Sequence, residues 1–136
     1  MYRALGLALA LLGPATGCAK APPNVSPEAK VAWNLKHVLT GLEALQEIAI
    51  DAEASGAMST DDAKQVVKAT VRAAQISRTF VIAMQAGYTE ADTQRQLLRS
   101  LRAVLQDLPS HLSPRAYDIV QPYLQSVISL LVIYGY

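Results

Sequence analysis

Apolar residues recur along most of the chain at alternating steps of three and four, the spacing of one face of an α-helix. The first run comprises Val31, Leu35, Val38, Leu42, Leu45, Ala49 and Ala52. It follows Ser26-Pro27-Glu28, which combines a serine N-cap with a proline at the first helical position, and it ends before Gly56. The pattern therefore predicts a first helix over about 27–54.

Two further helices follow from the same reasoning. Ser59 and Asp62 form the start of the second, which runs to Gly87. Its inner face is expected at Val67, Ala74, Val81 and Met84. The third begins at Thr89 and ends at Pro109. Its apolar positions are Leu97, Leu98, Leu101, Val104, Leu105 and Leu108.

A fourth helix is predicted from Ser113-Pro114 onward. Its apolar positions are Tyr117, Val120, Leu124, Val127, Leu131 and Tyr134. Pro122 removes a backbone donor inside it, so we expect a kink or a break there. Residues 127–134 are rich in β-branched side chains, but with no partner strand elsewhere we interpret them as helix. Four amphipathic helices joined by short loops predict an all-α fold, an antiparallel up-down four-helix bundle.

Gly41 lies in the middle of the first predicted helix, where glycine costs about 1 kcal/mol relative to alanine. With the second helix antiparallel to the first, Gly41 would lie opposite Ala73 and Ala74. We therefore predict a close backbone approach between these two helices.

The N-terminus has the three-part layout of an export signal. Arg3 precedes the apolar run 4–12, which is too short to span a bilayer because a spanning helix needs about 20 residues. The segment Ala15-Thr16-Gly17 then precedes Cys18, the one cysteine of the chain. These residues resemble the lipobox of bacterial lipoproteins, although Ala15 stands where that family prefers leucine.

The resemblance implies cleavage before Cys18 and acylation of that residue with palmitate or similar chains, which would anchor the protein in the lipid bilayer. Ala19 follows the cysteine in place of the aspartate that retains such proteins at the inner membrane. The implied location is the outer membrane, facing the periplasm, in a Gram-negative host. The alternative is ordinary signal cleavage after Gly17, which would give a soluble secreted helical protein.

The expected organisation has three parts. Residues 1–17 are the signal peptide, 18–26 are the lipidated cysteine and a tether stiffened by Pro22-Pro23, and 27–136 are the helical domain. The tether would hold the domain within about 25 Å of the membrane surface.

Composition narrows the class of protein further. Half of the residues are hydrophobic (51%) and 17% are charged, which excludes a disordered tail. Lys plus Arg is 12 against 11 for Asp plus Glu, and removal of Arg3 leaves the mature chain neutral. Nucleic acid is therefore not an expected partner. A single cysteine excludes disulfides within the chain.

Catalytic chemistry is not expected. Asp107, Ser110 and His111 lie around one loop, but the neighbouring Ser113 is already needed as an N-cap. Neither His37 nor His111 has a glutamate three residues before it, as the carboxylate-bridged di-iron bundles require. His37 is expected on the solvated outer face of the first helix. No catalytic residue, metal or cofactor is predicted.

Aromatic side chains collect at the end of the predicted bundle where the first helix begins. They are Trp33, Tyr88, Tyr134 and Tyr136. Trp and Tyr prefer the membrane interface, so these four are candidates for contact with lipid headgroups or a membrane-embedded partner. Alternatively, they merely close the hydrophobic core.

The sequence thus predicts an envelope lipoprotein that acts as a structural or protein-interaction module with an envelope protein as partner. Short lipoproteins of phages and prophages that act at the host envelope are similar in style. The competing prediction is a module that binds a small apolar ligand in its core. Phe80, Met84 and the Tyr117 to Tyr134 face would line that pocket.

Overall fold

The computed structural model of the chain describes Asn24, residues 26–87 and residues 91–134. Within these ranges the chain is all-helical and has no β-strand. The helices are α1 (Pro27–Ala54), α2 (Thr60–Gln85), α3 (Ala91–Asp107) and α4 (Pro114–Ile133), and a 3₁₀ turn (Leu108–His111) precedes α4. The all-α class and the four helices are confirmed. The predicted signal peptide, Cys18 and most of the tether lie outside the described residues.

Serine side chains cap three of the helices, as predicted. Ser26 Oγ accepts a hydrogen bond from the Ala29 amide of α1 at 3.2 Å. Ser59 and Ser113 do the same at the starts of α2 and α4, at 3.1 and 3.3 Å. Because the first amides of a helix have no partner within it, each hydroxyl satisfies one of them. The predicted start of α3 at Thr89 lies outside the described residues.

Glycine follows the ends of α1 and α2. Gly56 and Gly87 have φ angles of +77° and +87°, in the left-handed region that glycine adopts without steric cost. The Ala57 and Met58 amides then donate to the Ala52 carbonyl oxygen, at 2.8 and 3.0 Å. These bonds satisfy a carbonyl oxygen in the last turn of α1, where no amide of the helix can reach it. The helix ends where the sequence predicts.

One apolar core unites the four helices. The buried residues of α1 are Leu35, Val38, Leu42, Leu45, Ala49 and Ala52, which confirms the predicted seam from Leu35 onward, while Val31 is half-buried. α4 buries Ala116, Val120, Leu124, Val127 and Leu131. Its last two turns are helical although their β-branched composition is also compatible with a strand. α1 packs against both α2 and α4, and α3 packs mainly against α2.

The buried face of α2 differs from the prediction. Its buried residues are Ala63, Val66, Thr70, Ala73, Ser77 and Phe80, while Val67, Ala74, Val81 and Met84 are half-buried at its edges. Two polar residues can occupy core positions because their hydroxyls donate to carbonyl oxygens of the same helix. Thr70 Oγ1 donates to Val67 and Ser77 Oγ to Ala73, both at 2.9 Å. The predicted buried face of α2 was therefore wrong, because the observed face lies about one residue earlier along the helix.

Gly41 does make a close approach, but the expected partner was wrong. A Cβ atom at this position would lie 2.8 Å from Val127 Cγ2 of α4. The side of α1 that faces α2 is formed by Leu39, Leu42 and Gln46, which share a groove with Ala74. Gly41 lies on the opposite flank of the α1 seam, and its missing side chain leaves room for α4.

Pro122 does not interrupt α4, which is continuous from Pro114 to Ile133. The predicted break is therefore wrong. Pro122 is exposed, so the carbonyl oxygen that lacks a partner one turn earlier can be hydrated. Ser126 Oγ donates to the Pro122 carbonyl oxygen at 2.9 Å and adds a bond to this turn.

Substitution of Gly41 tests the contact between α1 and α4. Gly41→Ala should lower the free energy of unfolding by about 1 kcal/mol, because overpacking outweighs the better helix propensity of alanine. Val127 is β-branched and fully buried, so its methyl group cannot rotate away easily. Chemical denaturation followed by circular dichroism measures the change.

The matched control is the same substitution in a Val127→Ala background, where the obstructing methyl is absent. There Gly41→Ala should be neutral or stabilising. Equal effects in the two backgrounds would contradict the close approach.

Candidate functional site

The serine, histidine and aspartate residues around the 3₁₀ turn do not form a nucleophilic triad. His111 Nε2 lies 2.9 Å from Asp107 Oδ2 in an exposed pair. Ser110 Oγ donates to the Asp107 carbonyl oxygen at 2.7 Å, and Ser113 Oγ donates to Asp62 Oδ2 at 2.7 Å. Since neither hydroxyl donates to the imidazole, no base is placed to activate a serine here.

Metal-binding geometry is also absent from the part of the chain that the structure describes. No three side chains of His, Cys, Asp or Glu come together there. His37, expected to be solvated, is half-buried and packs edge-to-face against Trp33 with ring centroids 5.2 Å apart. Its role in the described fold is aromatic packing.

Asp62 has a second role that local sequence patterns did not reveal. As predicted, its amide is capped by Ser59. Its carboxylate also accepts from the Ser113 amide at 3.0 Å and from Ser113 Oγ at 2.7 Å, which joins the starts of α2 and α4. These hydrogen bonds lower the pKa of Asp62 below its ordinary value, the hydroxyl of Ser113 contributing most. The sequence separation of 51 residues explains why no local motif predicts this link.

Of the four predicted interface aromatics, two lie within the described residues. Trp33 is 37% exposed, so part of its ring can contact another surface. Tyr134 caps the end of α4 and is half-buried against the core. This position agrees with the alternative interpretation, in which the aromatic residues close the hydrophobic core. Tyr88 and Tyr136 lie outside the described residues.

Three exposed aliphatic side chains at the ends of α2 and α4 were missed by the sequence reasoning. Ile82 is 65% exposed near the end of α2, and Val132 and Ile133 are 52% and 62% exposed at the end of α4. All three lie off the buried seams of their helices. Their exposure could therefore have been predicted from the seam positions of α2 and α4. Together with Trp33 they define what we call the Trp33 end.

Contacts between the helices bring these residues to one end. The first turns of α1 share a groove with the last turns of α2, lined by Ala29 and Ala32 on one side and Val81 and Met84 on the other. α4 begins beside the loop between α1 and α2. It reaches the middle of α1 where Val127 meets Gly41. Its last turns therefore lie alongside the beginning of α1.

The groove at this end has a volume of about 200 Å³ and a mainly aliphatic lining. Met84 lines it, and Gln94 Nε2 lies 2.9 Å from the Met84 sulfur. The other residues predicted to line a ligand pocket do not do so. Phe80 is fully buried in the core, and Tyr117 packs against the core as a half-buried residue.

α4 is, among the described helices, the one long and apolar enough to cross a membrane, with a mean hydropathy of 1.3 over 18 residues. Five of its side chains belong to the core. Core helices of globular proteins have the same length and composition, so the hydropathy of α4 alone does not place it in a membrane.

The Asp62 link predicts a pH dependence of stability. At pH 7, Asp62→Asn should cost about 1 kcal/mol, since the amide nitrogen cannot accept from Ser113 Oγ. The folded pKa lies below the ordinary value of 3.8, so the stabilisation is present above pH 3.8 and is lost as the pH falls through the folded pKa. Denaturant titrations at pH 7 and at about pH 2 measure the free energy of unfolding of both proteins. The difference between the wild type and Asp62→Asn should be smaller at about pH 2 than at pH 7.

Asp61→Asn is the matched control, because Asp61 is an exposed neighbour in the same helical turn. It should change stability little at either pH. If the two substitutions behave alike, the link to Ser113 contributes nothing.

Comparison with known proteins identifies no relative of the chain. No protein-family model, curated protein or solved structure matches the chain. A function for the chain is therefore inferred from its residues and their geometry.

Proposed function

We propose that the protein is a lipid-anchored lipoprotein of the cell envelope whose helical domain serves as a structural or protein-interaction module. In this proposal the chain is cleaved before Cys18, the new N-terminus is acylated, and the domain lies at the periplasmic surface of the outer membrane. We assign it no catalytic step. Its partners are the bilayer, through Cys18, and a protein of the envelope.

The observation that carries the proposal is the exposed apolar surface of the Trp33 end. Trp33, Ile82 and Ile133 are all more than one third exposed, and they lie in the first turns of α1 and the last turns of α2 and α4. The segment that would connect α1 to the lipid leads into this same end. Exposed aliphatic and aromatic side chains next to an anchor are typical of a surface that contacts headgroups or a membrane-embedded protein.

An up-down antiparallel order of the four helices is part of the proposal. The link between Asp62 and Ser113 joins the starts of α2 and α4, as expected for helices that run in the same direction. The hydrogen bond from Gln94 to Met84 joins the beginning of α3 to the end of α2, as expected for antiparallel neighbours. This order places the loop between α1 and α2 far from the membrane.

Acylation of Cys18 is tested by labelling cells that express the full chain with radioactive palmitate. The wild-type protein should incorporate the label and fractionate with the membrane. Cys18→Ser should lose the label, because the thioether to the diacylglycerol cannot form. Label that persists in Cys18→Ser, or an unlabelled wild-type protein in the soluble fraction, would overturn the lipoprotein assignment.

Membrane contact at the Trp33 end is tested by fluorescence, since the chain has one tryptophan. The acylated protein should show a blue shift of emission when liposomes are added, because Trp33 leaves water. The double variant Ile82→Ser, Ile133→Ser should reduce that shift. Tyr123→Ser, an exposed residue in the middle of α4, is the matched control and should not reduce it.

An unchanged emission spectrum of the acylated wild-type protein would exclude lipid contact at this end. A small molecule released from protein purified under native conditions would instead favour the alternative of an apolar ligand in the groove beside Met84.

A further inference from the structure

The outer side of α1 and α2 forms a surface that the proposed function does not use. Ile50 of α1 and Val71 of α2 are 47% and 43% exposed on it. Two grooves run between the helices there, with volumes of about 130 and 570 Å³. Val71 lines both of them. We call this surface the α1–α2 face.

The charged residues of α1 and α2 are segregated by helix. Between positions 43 and 53, α1 carries acids and no base: Glu43, Glu47, Asp51 and Glu53. Between positions 64 and 78, α2 carries bases and no acid: Lys64, Lys68, Arg72 and Arg78. The ion pairs found among the described residues, Arg95 with Asp92 and His111 with Asp107, involve none of these eight. The net charge of the whole chain, +1, conceals this separation.

Acids and bases occur at matching levels along the two helices. Glu43 and Arg78 line one groove of the face. Glu53, Lys64 and Lys68 line the other, about two to three turns further along α1. Each of these acidic positions of α1 therefore has a basic residue of α2 beside it, at the same height along the bundle.

We propose that the α1–α2 face binds a second copy of this chain in a symmetric dimer whose twofold axis runs parallel to the helices. Such an axis brings α1 of one copy over α2 of the other. Each residue keeps its height along the bundle. Glu43 of each copy then lies opposite Arg78 of the other, and Glu53 opposite Lys64. Both contacts occur twice, as an isologous interface requires.

A face that has an acidic half and a basic half is complementary to itself under this axis. Nucleic acid or an anionic lipid surface would attract the basic half and repel the acidic one. Ile50 and Val71 lie between the charges, where burial in the dimer removes apolar surface from water. The charge pattern therefore selects a second copy over either of those partners.

The size of the face is sufficient for a dimer. α1 has 28 residues and so is about 42 Å long. Two helices about 10 Å apart present a surface about 20 Å wide, which gives about 800 Å² per copy, the area that each partner buries in a typical stable complex. The parallel axis also leaves both Trp33 ends on the same side, so both copies could be anchored in one membrane.

Charge reversal with complementation tests the dimer. Variant A carries Glu43→Lys and Glu53→Lys on α1, and variant B carries Lys64→Glu and Arg78→Glu on α2. Light scattering with size-exclusion chromatography is run on the full chain in mild detergent. The wild type should be a dimer, and each variant alone should dimerise at least about tenfold more weakly, because like charges face each other at both contacts.

Mixing the two variants should restore dimerisation. In the mixed dimer the basic α1 of A faces the acidic α2 of B, and the unchanged α2 of A faces the unchanged α1 of B. Recovery on mixing also shows that both variants are folded. Arg99→Glu on the exposed side of α3 is the matched control and should dimerise like the wild type.

A monomeric wild type at about 100 μM, or a mixture no more dimeric than its components, would overturn the proposal. Variants A and B that dimerise as tightly as the wild type would overturn it equally. Because no outcome depends on acylation of Cys18, failure of the dimer would leave the proposed envelope function to be decided by the palmitate experiment.

Discussion

The apolar seam of α1 holds α2 and α4 on its two flanks, and the positions of all other surfaces follow from this packing. Leu35 to Ala52 are buried on a single line. Because Gly41 lacks a side chain, α4 can approach one flank closely. α2 occupies the other flank, where Leu42 and Gln46 meet Ala74. Side chains off these lines are left at the surface, and both proposed contact surfaces consist of such residues.

Helix boundaries were the most predictable part of the fold, since they depend on local chemistry. Ser26, Ser59 and Ser113 accept the hydrogen bonds that their positions suggested, and Gly56 has the backbone conformation that ends α1. A cap needs only residues three or four positions apart, and that information is contained in a short stretch of sequence.

Packing between helices was less predictable because it depends on partners distant in sequence. The seam of α2 was misplaced since Thr70 and Ser77 look polar, yet their hydroxyls are satisfied within the helix. Pro122 appeared to be a helix breaker, but it faces water, where the loss of one hydrogen bond is tolerated. At the Trp33 end, Trp33 could be identified from residue type, whereas Ile82 and Ile133 are recognised as exposed only once the buried faces are known.

The link between Asp62 and Ser113 also has an electrostatic consequence. Each helix N-terminus carries the equivalent of about half a positive charge, because its amides point out of the helix unpaired. α2 and α4 begin side by side, so two such ends meet at the same corner of the molecule. The single negative charge of Asp62 equals their sum. One carboxylate therefore neutralises two helix dipoles that would otherwise repel each other, at the corner farthest from the start of α1.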